Sequence, residues 1–210
     1  LDIRGAGNIL GAEQSGFISE IGFEMYQKIL DEALDELKQT DFRDLYEQTE
    51  QTEFVKDCQI ETDLEILIPD WYVNVITERF SLYKELDSIE NEEKLISFQE
   101  NMIDRFGPVP VQTQELFNTV RLRWISKRLG FEKITLRNNL FTAYLVHDQE
   151  SAYYQSQAFT DILRFVQQNP KNTRMRETSG KPVLNISNIS SVVDALDTLR
   201  KIDSVGLSGN

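Results

Sequence analysis

The chain has one cysteine, Cys58, and one histidine, His147, in 210 residues. A single cysteine excludes an internal disulfide and fits a reducing compartment. Two soft ligands of different kinds are too few for a zinc site. A Cys–His nucleophile pair needs an active-site turn around one of them, and neither has one. Cys58 reads as a small core residue and His147 as a surface residue at a strand end. No apolar run approaches the roughly 18 residues that a membrane span needs, and no signal peptide is visible. These absences predict a soluble, cytoplasmic domain with no membrane partner. No glycine is followed by Lys and then Ser or Thr, since Gly180-Lys181 leads into Pro182, so the phosphate loop of nucleotide hydrolases is missing. Gly5-Ala6-Gly7 does not make a dinucleotide fingerprint either. Leu10 stands at the sixth position, with the glycine one later at Gly11, and no strand precedes it.

Positive charge is the other shortage. Lys and Arg number 22 against 35 Asp and Glu, a net charge of −13. From Asp31 to Asp104 the count is 22 acidic to 6 basic. Such a surface repels nucleic acid at physiological salt. It reads either as a solvated face or as a surface for a basic partner. The basic residues concentrate at Arg121, Arg123, Lys127, Arg128, Lys133 and Arg137. They suit a solvated face, intramolecular acidic partners or, as an alternative, a nucleic-acid module reading through 121–137. A carboxylate-based hydrolase is a further alternative. It would need two carboxylates with opposed pKa shifts in one cleft.

What is present organises around the first 37 residues. Leu1 to Gly16 is glycine-rich. Ile21 to Leu37 carries Phe23, Tyr26, Leu30, Leu34 and Leu37 at helical spacing, with Asp31, Glu32, Asp35 and Glu36 opposite. A loop that admits close backbone approach, fixed to a long helix, reads as a coupling element. The chain begins with Leu inside this pattern, which predicts a piece of a longer protein.

The remainder predicts an α+β fold, a helical half followed by a small mixed or antiparallel sheet in ββαββα order. Residues 39–53 look like a connector, 54–203 like the main domain, and 204–210 like a mobile tail. Val55, Cys58 and Ile60 suggest one strand, and Leu64, Ile66 and Ile68 a second, with Glu65 turned to solvent. A helix from about Asn74 would bury Ile76, Phe80, Tyr83 and Leu86. The next runs from Asn91 with Glu92 and Glu93 in its first turn. It buries Leu95, Phe98, Met102 and Phe106 and stops at Gly107-Pro108. A third, Gln112 to Leu129, carries Leu116, Val120 and Trp124 and stops at Gly130. Hairpins are predicted across Asn138-Asn139 and Ser179-Gly180, with helices over Phe159–Gln168 and Ser190–Ile202.

The leading run LDIRGAGNILGAEQSG, followed by IGFEMYQKILDEAL, resembles the translocation motif shared by the RecG branch-migration helicases and the bacterial transcription-repair coupling factors. Three later runs, QIETDLEILIPDWYV, TERFSLYKEL and MIDRFGPVP, resemble the C-terminal domain of the coupling factors, which RecG lacks. The resemblance implies a C-terminal regulatory domain, without catalytic residues, metal or cofactor of its own, preceded by the end of the translocation motif over 1–38. That motif would include Arg4, Gly5, Gly7 and Gln14, of which Arg4 and Gln14 would link ATP hydrolysis to stepping. It further implies that two ATPase domains using ATP and Mg²⁺ stand upstream. The full-length protein would bind double-stranded DNA, displace RNA polymerase and recruit UvrA for nucleotide-excision repair. The C-terminal domain would dock on the protein's own UvrB-like module and mask its UvrA site. The contact surface implied is the helix ending at DRFG, with Glu100 and Asp104 as interface residues. Asp104, so near a helix C-terminus, is also a candidate for a structural arginine partner. Arg79 and Tyr83, four apart in the second run, are placed for packing or for contact.

Overall fold

The computed structural model describes residues 54–205, apart from Gln149 and Ser179. The glycine-rich stretch with Arg4, Gly5, Gly7 and Gln14, the linking helix, the connector and the tail from 206 lie outside the described residues. In chain order the elements are β1 (Gln59–Thr62), α1 (Ile76–Asp87), α2 (Glu92–Phe106), α3 (Val111–Arg128), β2 (Phe131–Arg137), β3 (Leu140–Leu145), a 3₁₀ turn (Ala152–Gln155), α4 (Gln157–Gln168), β4 (Thr173–Thr178), β5 (Lys181–Ser187) and α5 (Val192–Val205). The fold is α+β, and the two ββα units share one five-stranded sheet in the order β1-β2-β3-β5-β4. β1 runs parallel to β2, and the other neighbours are antiparallel.

Local chemistry sets most boundaries. Asn91 caps α2, its side chain accepting the Lys94 N–H at 3.0 Å, which satisfies one of the helix's free donors. Gly107 ends α2 at φ +83°. Asn138 and Asn139 both adopt positive φ, 53° and 59°, the geometry that a two-residue hairpin requires. α5 runs to Val205, past the Ile202 end predicted from its apolar stripe.

Two cores are built on one helix. Phe117 and Val120 of α3 join Leu82, Leu86, Leu95, Phe98 and Met102 in a helical core. Leu122, Ile125 and the following Leu129 join Ile134, Phe141, Leu184, Ile162 and Leu199 in a sheet core. Gly130, at φ +76°, turns the chain from α3 into β2. An added Cβ there would lie 2.1 Å from Tyr153 Cε2. Tyr153 is fully buried and donates its hydroxyl to the Leu129 carbonyl at 2.7 Å, so it locks that joint. The sheet buries one face. Ile134, Ala143 and Leu184 lie in register across it, while Thr135, Thr142, Asn185 and Arg174 form a row on the other face.

Three expectations change. Residues 64–68 form no strand, although Ile68 is buried and Glu65 is exposed. Their backbone groups are met by side chains: the Ile68 N–H donates to the Tyr83 hydroxyl at 2.7 Å, and Thr113 Oγ1 donates to the Leu67 carbonyl at 3.1 Å. These bonds satisfy two of the segment's backbone groups without a ladder partner. α1 begins at Ile76 and presents a different face. Leu82 and Leu86 are buried, whereas Ile76 and Phe80 are 60% and 69% exposed. The helix is turned because Tyr83 reaches back to Ile68 and Arg79 to the Val73 carbonyl at 2.6 Å. Arg79 and Tyr83 therefore pack the fold. In α3, Leu116 and Trp124 are only half-buried, because the helix serves two cores and its central positions are Phe117 and Ile125.

Candidate docking face on the helical half

Capping and periodicity fix α2, and its outward side carries the interface candidates. Leu95, Phe98 and Met102 face the core. Glu100 and Asp104 stand opposite, both exposed. Neither makes an ion pair among the described residues. The arginine partner anticipated for Asp104 is absent, because adjacent Arg105 pairs with Glu78 of α1 and lies over the Phe106 ring, 4.8 Å from its centroid. Flanking the two carboxylates are Ile96, 44% exposed, and Ile103, 50% exposed. One helical face thus presents Ile96, Glu100, Ile103 and Asp104.

The neighbouring segment adds apolar surface. Trp71 is 70% exposed, and with Ile76 and Phe80 it leaves three large side chains in water along ten residues. Tyr72 ties this segment to the end of α2. Its hydroxyl donates to the Gly107 carbonyl at 2.9 Å, and its ring meets Phe106 edge-on at 5.8 Å. Exposed apolar side chains rimmed by charge are a composition found at contact surfaces. The spacing of Ile96 and Ile103, seven residues apart on the polar side of α2, carried that signal in the sequence. Ile76 and Phe80 read as core residues in the sequence, and only the burial of Leu82 shows them to be outward.

The basic concentration of 121–137 is engaged within the chain. Arg121 pairs with Glu92, Arg123 with Asp87 at 2.6 Å, Arg128 with Asp203 at 2.8 Å, and Lys133 with Glu61 at 2.7 Å. Arg137 also reaches Glu61, at 3.4 Å. Hydrogen bonds from Arg121 and Lys133 hold the Glu92 and Glu61 carboxyls below their usual range. These pairs offset cations that a nucleic-acid face would need free.

The remaining titratable groups are dispersed. Burial pushes the Cys58 thiol up to about 12, helped by the charge on Asp57, and the side chain is 2% exposed. It behaves as a core residue, whereas His147 is exposed beyond the end of β3. Burial also raises the Asp161 carboxyl, against hydrogen bonds from Gln157 at 2.7 Å and Arg164 at 3.0 Å. Its charged neighbours are Arg164 and Asp203. No group of three or more His, Cys, Asp or Glu side chains is placed to hold a metal ion among the described residues. No helix among them is long and apolar enough to cross a membrane.

The same topology occurs in a solved structure. A crystal structure of the C-terminal domain of transcription-repair coupling factor superposes with a TM-score of 0.59 at 16% identity, covering 73% of this chain and 96% of that one. That likeness defines the class of fold. In sequence, the family model for the TRCF domain matches residues 62–156. The transcription-repair-coupling factor of Rickettsia prowazekii is 30% identical over 206 residues, 96% of this chain and 17% of that protein. The protein of the same name from Escherichia coli K12 is 36% identical over 134 residues, 64% of this chain and 11% of its own length. The chain belongs to the transcription-repair coupling factor family, and its described part is the family's C-terminal domain. It spans 11% to 17% of the length of these two curated relatives.

Proposed function

We propose that this domain is the autoinhibitory module of a transcription-coupled repair machine and that it docks through the outer face of α2. The observation that carries the reading is the pairing of free carboxylates, Glu100 and Asp104, with exposed Ile96 and Ile103 on one helical face. The partner is a basic surface on the UvrB-like module of the same full-length protein. Docking there masks the UvrA-binding surface until the machine engages. A contact rich in rim charge forms and releases readily and weakens with salt, as a reversible latch requires.

In this reading the domain itself is no enzyme. The full-length protein is a cytoplasmic, ATP-driven double-stranded DNA translocase that displaces stalled RNA polymerase and recruits UvrA. The ATPase domains upstream supply the ATP and Mg²⁺ chemistry. Arg4, Gly5, Gly7 and Gln14 belong to the translocation motif that couples hydrolysis to stepping. The isolated chain neither hydrolyses ATP nor shifts duplex DNA at physiological salt, and turnover above a buffer control would contradict this.

The test is UvrA binding by the full-length protein, wild type against Glu100→Lys/Asp104→Lys. Like charge across such a contact costs up to a few kcal/mol, enough to open a weak intramolecular latch. The expected result is increased UvrA binding with an unchanged melting temperature of the isolated domain, since both side chains are exposed and unpaired. Unchanged UvrA binding would place the interface elsewhere.

A further inference from the structure

Two arginines without an ion pair among the described residues lie on the other half of the molecule. Across β4 and β5, Arg174 is in register with Asn185 and Arg176 with Val183, on the sheet face turned away from the helices. Arg174 and Arg176 are exposed and make no ion pair among the described residues. With Lys171, Asn172, Asn185 and Ser187 they line a groove of about 380 Å³. No carboxylate and no aromatic side chain lines it. The groove is held open from within. Thr142 Oγ1 donates to Asn185 Oδ1 at 2.9 Å, and the Ser187 backbone N–H and hydroxyl donate to the Asn172 carbonyl at 2.8 and 3.0 Å.

β4 is also the last strand of the sheet, and among the described residues nothing pairs with its outer edge. An edge strand offers unpaired backbone donors and acceptors to an added strand. Side chains two apart on a strand share a face and stand about 6.8 Å apart. Carboxylates at alternate positions of an extended peptide share that repeat, so a peptide lying beside β4 brings successive carboxylates opposite Arg174 and Arg176. Arg guanidinium groups bind carboxylates in a forked geometry. A nucleic-acid strand fits less well, because the groove has no aromatic platform for base stacking and a sugar-phosphate backbone cannot pair with the β4 edge as an added strand does.

We propose that this groove and the β4 edge form a docking site for an acidic polypeptide segment in extended conformation, with carboxylates at alternate positions. The site is separate from the α2 face and does not depend on it.

The test uses the whole 210-residue chain. Fluorescently labelled probes are a short peptide alternating Glu and Thr, an isomer with its Glu residues in one block, and an oligothymidylate. The alternating peptide is expected to bind more tightly than its isomer, to weaken as salt rises, and to lose about tenfold or more in affinity with Arg174→Glu/Arg176→Glu. Asn185→Asp is the second variant. It places negative charge in the groove, keeps the acceptor for Thr142 and leaves both arginines in place, and it too is expected to weaken the peptide. Equal binding of the two isomers, an unchanged affinity in both variants, no binding at millimolar peptide, or tighter binding of the oligothymidylate would each overturn the proposal. The last outcome would make the groove a phosphate site.

Discussion

The helical half and the sheet half share α3 yet meet water with different charge. Residues 54–130 carry fourteen acidic and nine basic side chains, whereas 131–205 carry eight and nine. The contrast at the surface is sharper than these counts. The bases of α3 and β2 are consumed by Glu92, Asp87, Asp203 and Glu61. Glu100 and Asp104 of α2 and the arginines of β4 have no such partners among the described residues. Density of charge along a chain is therefore a poor guide to charge offered to a partner. Pairing within the fold silences the densest basic segment, and a thinner one two strands away stays open.

If α3 makes one cooperative unit of the two cores, damage to one half must be felt in the other. Both tryptophans, Trp71 and Trp124, lie in the helical half. Ile134→Ala removes a fully buried side chain from the sheet core and is expected to cost about 2–5 kcal/mol. The denaturant midpoint followed by tryptophan fluorescence should fall with that followed by circular dichroism. A fluorescence midpoint that stays in place while the dichroism midpoint drops would split the halves.

The joint itself should be nearly as sensitive. Gly130→Ala combines a positive φ with a Cβ 2.1 Å from the edge of the Tyr153 ring and is expected to cost about 2–4 kcal/mol. Gly180→Ala shares the positive φ but meets open space, so only about 1–2 kcal/mol is expected. Equilibrium denaturation of the pair separates the clash from the backbone strain. Equal losses would remove the Tyr153 lock from the account.

The smallest effect concerns the pairs that tie up the basic segment. The Glu92 carboxyl is depressed in the fold by Arg121. Its contribution is fully present above the unfolded value of about 4.3 and is lost as pH falls through the lower folded value. Glu92 is half exposed and solvent screens it, so the pair is expected to supply less than about 1 kcal/mol. Glu92→Gln should lower the melting temperature slightly at neutral pH and make its fall toward acid shallower. Asp161, raised by burial, acts in the opposite sense, gaining relative stability as pH falls through its raised value. An identical acid slope in Glu92→Gln would contradict the role given to the Arg121 pair.

Elements with their own local chemistry were legible in the sequence. Asn91 with Glu92 and Glu93 announces α2, and Asn138-Asn139 announces a hairpin. The outward position of Glu100 follows from the stripe of Leu95, Phe98 and Met102. What was misread depends on distant partners. The stripe Ile76–Phe80–Tyr83–Leu86 holds at Tyr83 and Leu86 but fails at Ile76 and Phe80, because Leu82 is buried instead and the Tyr83 hydroxyl meets the Ile68 N–H. The apolar alternation of 64–68 suits a strand, but Thr113 and Tyr83 take its backbone bonds. The groove could not be read without sheet order. Arg174 and Arg176 alternate visibly in RMRET, yet only the pairing with β5, and the end position of β4, show that they share a free face.

The central claim is that the α2 face, not the charge of the domain at large, makes the docking contact. It is tested most directly by calorimetric titration of this chain with the isolated UvrB-like module, comparing wild type, Glu100→Lys/Asp104→Lys and Arg174→Glu/Arg176→Glu. The account predicts that reversal on α2 weakens binding by about tenfold or more, while reversal on β4 changes it by less than about twofold. Binding that survives the α2 reversal, or that fails with the β4 reversal, would contradict it.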